Sequence, residues 1–206
     1  MANTATNVSV GKPAVDGAVF SAPIGTALPT STSATLNAAF DDLGYVSEDG
    51  VTNSNGLSTE QIKAWGGVTN SNGLSTEQIK AWGGDVVAVP QTEKTDTFQL
   101  KLIESSNPDV LSIVFGSANV SGSLAAGLAI DVNAKELPER SWVIDMILRG
   151  NVAKRVVIPR GKISEIGDVV YKDNEVIGYE LTITCLPDTS GNTHYEYLKS
   201  PAVTGA

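Results

Sequence analysis

The chain of 206 residues contains one cysteine, one histidine and two methionines, and only 6% of it is aromatic. With Cys185 alone there is no intramolecular disulfide framework, which fits a reducing compartment or a particle assembled in one. Cys185 falls on the apolar side of an alternating pattern, where a small buried hydrophobe is expected and not a nucleophile. His194 stands in a polar stretch with no positioned partner implied, so it reads as a surface residue and not as a general base. The motifs of the serine hydrolases, the phosphate-binding loops and the dinucleotide folds are missing, as is any metal-ligand spacing of Cys and His. No enzyme, cofactor or metal is expected. No apolar run approaches a membrane span, and the first residues lack a basic start followed by an apolar stretch, so neither a membrane segment nor a secretory leader is expected. Cations are outnumbered: 14 Lys and Arg against 23 Asp and Glu leave a net charge of −9, which argues against a protein that grips nucleic-acid phosphates by bulk attraction.

Two further near-motifs carry no weight. Val51–Ile62 has Asn53, Asn55 and Gly56 at calcium-loop positions three, five and six, but Val51 and Ile62 stand where the loop needs charged ligands. Asn7 and Asn119 open glycosylation triplets that mean nothing without secretion.

What the chain does have is a repeat. Residues 51–67 and 68–84 are the same seventeen letters, VTNSNGLSTEQIKAWGG. Such a doubling marks a place where extra length is tolerated, typically an exposed loop. Two copies are too few for a solenoid. Within each copy Asn-Ser-Asn-Gly is turn chemistry, Ser58 with Gln61 forms a capping box, Leu57 with Ile62 a hydrophobic staple, and Gly66-Gly67 a stop. The pattern predicts short helices over Ser58–Trp65 and Ser75–Trp82. One tryptophan, Trp65 or Trp82, is expected in the core and the other on a second surface such as a neighbouring subunit.

Around the repeat the chain reads as strands. Residues 1–34, rich in Ala, Thr, Ser, Gly and Pro, predict an extended N-terminal arm. A domain follows over 35–186 and a polar, loop-like tail over 187–206. Strand material surrounds an Asp41-Asp42 turn, and a short strand is expected over Asp85–Pro90. Phe98, Leu100 and Leu102 alternate with polar residues within Thr95–Glu104. Asn107-Pro108 is a strong helix start, with Leu111, Val114 and Phe115 as its stripe and Gly116 as its end. Two weaker strands precede a meander: Trp142–Leu148, a Gly150-Asn151 turn, Ala153–Ile158, an Arg160-Gly161 turn, Ile163–Tyr171, an Asp173-Asn174 turn, and Val176–Leu186. The fold class is therefore mainly β: an antiparallel two-sheet β-sandwich or partly closed barrel, with one flanking α-helix and a long helix-bearing loop.

The cations cluster. Arg149, Lys154, Arg155, Arg160 and Lys162 fall within fourteen residues that hold no acid. This is either a solvated hairpin or a basic edge that meets an acidic surface on an identical neighbour, such as the region of Asp41, Asp42, Glu48 and Asp49.

Three stretches occur in order: GYVSEDGV at 44–51, IKAWGGDVVAVPQ at 79–91 and FQLKLIESSNPDVLSIVFG at 98–116. Over roughly residues 35–186 the chain resembles the major tail tube proteins of long-tailed, non-contractile phages of Gram-positive hosts. Gly44, Ser47, Asp49 and Gly50 match the start of the family's loop, and Trp82, Gly83 and Gly84 its exit; the doubling is this chain's departure. The resemblance implies two packed β-sheets with a flanking helix and no catalysis. It also implies hexameric rings stacked into a tube, contacts with itself and other tail proteins, and a lumen through which DNA passes without specific binding. The implied location is the phage tail of the virion, assembled in the host cytoplasm. The alternatives are an adhesion or carbohydrate-binding module on a particle surface, and a tube protein of a contractile or secretion system. Few aromatics speak against the former.

Overall fold

A computed structural model of the chain describes residues 12–13, 18–56, 74–76, 79–80, 86–88, 91–172 and 176–201. In chain order the strands are β1 (Lys12–Pro13), β2 (Val19–Pro23), β3 (Asp41–Asp42), β4 (Val46–Gly56), β5 (Leu74–Thr76), β6 (Ile79–Lys80), β7 (Val86–Ala88) and β8 (Gln91–Leu102). The helix α1 (Pro108–Phe115) follows, then β9 (Val120–Ser123), β10 (Gly127–Ile130), β11 (Arg140–Leu148), β12 (Val152–Ile166), β13 (Tyr179–Leu186) and β14 (Tyr195–Lys199). The fold is mainly β, a curled antiparallel sheet forming a half-barrel with one α-helix. The sheet runs β3-β2-β11-β12-β13-β8-β4, with β1 on β11, β14 on β12 and β5 on β8. The pairs β9–β10 and β6–β7 stand apart from it.

The alternation within β8 and β13 sets the main core. Phe98, Leu100 and Leu102 face the same side as Tyr179, Leu181, Ile183 and Cys185, and all are buried. Helix α1 covers this face with Val110, Leu111, Ile113 and Val114. Asn107 caps the helix, its side chain accepting from the Asp109 N–H at 2.9 Å, and Pro108 takes the first turn, where no N–H is needed. At the other end Asn119 Nδ2 donates to the Phe115 carbonyl at 2.6 Å and so satisfies one of the helix's orphan acceptors. Asn119 is thereby buried within the fold and is not a free acceptor for a sugar.

The opposite end of the sheet is buried on both faces. Trp142 and Ile144 of β11 belong to the main core, whereas Val143 joins Val157, Ala22 and Phe40 in a second cluster. Leu28, Leu36, Tyr195 and Tyr197 pack against that second cluster.

Several expectations need correction. The N-terminal stretch is not an extended arm from residue 18 onward: Ala18, Val19 and Ala22 are buried, and β2 pairs with β11. Its low charge is that of a strand enclosed on both faces. Asp41 and Asp42 do not turn; they pair with Ser21 and Phe20. The described part of the second repeat copy is not helical, since Leu74–Thr76 pairs with β8 and Ile79–Lys80 with β7. Pairing along a neighbouring strand outweighs the local capping signals there. The helix expected over the first copy lies outside the described residues, as does the Asp173-Asn174 turn.

Arg160 and Gly161 lie inside the single fifteen-residue strand β12. Gly161 is required by close approach: a Cβ there would stand 2.7 Å from Trp142 Cδ1 and 2.8 Å from Ile183 Cγ2. Pairing on one side of β12 passes from β14, over Ala153–Val157, to β13, over Arg160–Ile166. The changeover falls at Pro159, which has no N–H to offer a ladder. The tail is not loop-like either, because Tyr195–Lys199 forms β14. Strand β13 starts at Tyr179, not Val176.

Candidate assembly surface

The five clustered cations do not form one free basic edge. Arg155 is buried, and its guanidinium meets the Asp145 carboxylate through two bonds of 2.7 Å, from Nε and Nη2. Its Nη1 donates to the carbonyls of Ser31 and Ala34 at 3.1 and 2.6 Å. Asp145 and Arg155 are direct register partners on β11 and β12, so the pair pins the loop over the second cluster to the sheet. Lys154 pairs with Glu196 at 2.8 Å and Arg160 with Glu139 at 2.9 Å. Lys162 pairs with Glu136, whose carboxyl is held below its usual range by that hydrogen bond. Only Arg149, exposed at the β11–β12 turn, has no ion partner among the described residues. At that turn Gly150 and Asn151 both adopt positive φ, 81° and 57°, as the sequence leads one to expect.

The acidic candidates are dispersed as well. Asp41 pairs with Arg140 at 2.7 Å, and Arg140 Nε also donates to Ser21 Oγ at 2.8 Å. Burial and the nearby Asp41 push the Asp109 carboxyl upward, against the pull of Arg140. Asp42 accepts from the Gly44 N–H at 2.9 Å, and Asp49 lies in the bulge of β4, within 3.5 Å of Ser47 Oγ. The side chains of Glu48, Trp65 and Trp82 lie outside the described residues.

His194 has the partner that its sequence context did not imply. Its Nδ1 lies 2.6 Å from Asp96 Oδ2, and its ring meets Phe98 edge-on at 5.4 Å. Thr193 Oγ1 donates to the same carboxylate at 2.6 Å and Asn53 Nδ2 at 3.0 Å. Burial raises the Asp96 pKa, but these three donors outweigh it and the carboxyl ends below its ordinary value. The only sequence signal was Asp96 itself, an acid on the apolar face of an alternating strand. Burial, with Asp96 nearby, pushes the Cys185 thiol far up, so it is inert as a nucleophile. The arrangement ties the segment before β14 to β8. Among the described residues no cluster of His, Cys, Asp and Glu is placed to hold a metal, and no helix is long and apolar enough to cross a membrane.

At β8 and β13 the face of the sheet away from α1 is open and polar. It carries Thr97, Gln99 and Lys101 from β8 and Glu180, Thr182 and Thr184 from β13. Gln99 Nε2 approaches Thr182 Oγ1 at 3.4 Å, and Thr184 Oγ1 donates to Ser164 Oγ at 2.9 Å. Two shallow depressions, of about 340 and 180 Å³, meet at Gln99 and Glu180 and bring Glu165, Asp168 and Asp49 to the same surface. Exposed apolar side chains lie elsewhere. Val170, Tyr171 and Val176 sit on the β12–β13 connection, and Tyr171 is 75% exposed. Compared with known proteins, the chain matches no protein-family model and no curated protein.

Proposed function

We propose that this protein is a structural tube subunit, polymerising with copies of itself into stacked rings that conduct DNA, as in a phage tail. The observation that carries this reading is the two-faced curled sheet. Helix α1 seals one face, while the other, at β8 and β13, remains open and polar, with carboxylates outnumbering the one cation, Lys101. Curled sheets placed side by side in a ring turn such faces toward a common channel. Glu165, Asp168, Glu180 and Asp49 would then repel phosphates, so DNA slides and is not held. The exposed apolar residues of the β12–β13 connection supply material for the head-to-tail contacts that a stacked tube requires. The motifs shared with tail tube proteins support the same reading and set the expected ring size at six. Negative-stain imaging of concentrated purified protein tests it. Rings or tubes are expected; a strictly monomeric protein in every salt and with its partner tail proteins would refute it.

A further inference from the structure

The pairing along β8 passes from β4 to β5 in a register that matches the repeat. Gly56 stands opposite Thr95, and the next residue of β8, Lys94, stands opposite Leu74. In an unbroken strand that place would belong to Leu57, which is the same residue in the first copy. The residues passed over, 57–73, number seventeen, one full repeat. The β8 partner thus reads VTNSNG from copy one and continues with LST from copy two.

We propose that this sheet edge has two interchangeable partners: Val51–Gly56, as observed, or the identical Val68–Gly73, which would run on into Leu74 without interruption. Residue types opposite Thr95–Leu100 are the same in both arrangements. Each leaves seventeen residues out of the β8 ladder, so the closure entropy is also the same. Neither arrangement is favoured by pairing, and both are populated. The loop leaves the edge after Gly56 in one and after Gly50 in the other. Six strand residues separate these points, roughly 20 Å. Gly50 already has positive φ, 73°, next to the bulge in β4, so the second exit needs little rearrangement. The repeat then acts as a connector with two attachment points, exchanged without loss of a ladder pair.

Asn53 provides the test, because its side chain donates to the buried Asp96. An Asn53→Asp change sets two carboxylates against each other. If the copies exchange, N53D alone costs about a factor of two in the folded-to-unfolded ratio, since Asn70 takes the place. N70D alone costs no more. N53D with N70D, or N53D in a chain lacking residues 57–73, lowers the ratio roughly tenfold or more at pH 7. Denaturant titration of the four proteins reads this directly, and it needs no assembly into tubes. Either N53D as damaging as the double change, or a double change as harmless as the singles, overturns the proposal.

Discussion

The Glu104 carboxylate fills the space that a side chain on Gly44 would need, and Gly44 holds φ at 67°. Glu104 accepts from the Tyr45 N–H at 3.1 Å and from Asn107 Nδ2 at 2.9 Å, while Asn107 caps α1. One carboxylate therefore joins the segment GYVSEDG to the start of the helix. Gly44→Ala meets both the strained φ and the occupied space. It should destabilise the fold by about 1–3 kcal/mol in denaturant titration. Glu104→Ala removes the link and leaves Asn107 unsteered, with an expected cost of about 1–2 kcal/mol.

Arg155 and Lys154 are neighbours with opposite expected outcomes. Arg155→Ala leaves Asp145 without its partner beneath the 31–34 loop and should cost about 3–5 kcal/mol. Lys154→Ala breaks a partly exposed pair and should stay within about 1 kcal/mol. Charge reversal at Arg155 would thus report on folding and not on assembly. Arg149→Glu is the cleaner probe. If the hairpin tip meets an acidic neighbour, tube growth by light scattering should slow, with thermal stability unchanged.

Acid stability should depend on Asp96. Its folded carboxyl lies below the ordinary value of 3.8, so the unfolded chain binds the proton more readily. The stabilisation is present above the unfolded value and is lost as pH falls from about 4 through the folded one. Asp96→Asn should flatten that limb of the stability-against-pH curve measured by urea titration, while lowering stability at pH 7.

Deleting residues 57–73 should leave the fold in place, because Gly56 would lead directly to the residue now opposite Lys94. Far-ultraviolet circular dichroism and an unchanged or slightly raised melting temperature are expected. A collapse of the β signal would show that the extra copy is needed by the sheet.

Tubes of the assembled protein should not retain duplex DNA at physiological salt, given the carboxylates on the open sheet face. Co-sedimentation of DNA with tubes would contradict that surface lining a channel.

Strong local signals in the sequence survived folding. Asn107-Pro108 started a helix, Gly116 ended it, and the alternation of Phe98, Leu100 and Leu102 set the core face. What was illegible depended on distant partners. Gly161 reads as a turn residue until Trp142 lies against it. The plain composition of residues 18–23 hides a strand enclosed by β11 and the loop over it. The basic cluster looks like one surface, yet Lys154 and Arg155 point to opposite faces of β12, and its paired cations meet acids supplied from elsewhere in the chain. His194 gained its partner from a residue ninety-eight positions away.

The run Val156–Ile158 of β12 ties the two apolar clusters of the described residues to one stretch of backbone. Val156 and Ile158 point into one cluster and Val157 into the other. Neither can loosen without withdrawing the shared strand from its neighbour, so the two should melt as one cooperative unit. A single calorimetric transition, with equal calorimetric and van't Hoff enthalpies, is the expected signature. If the chain works as the proposed tube subunit, that coupling means a strain applied at one cluster is borne by both.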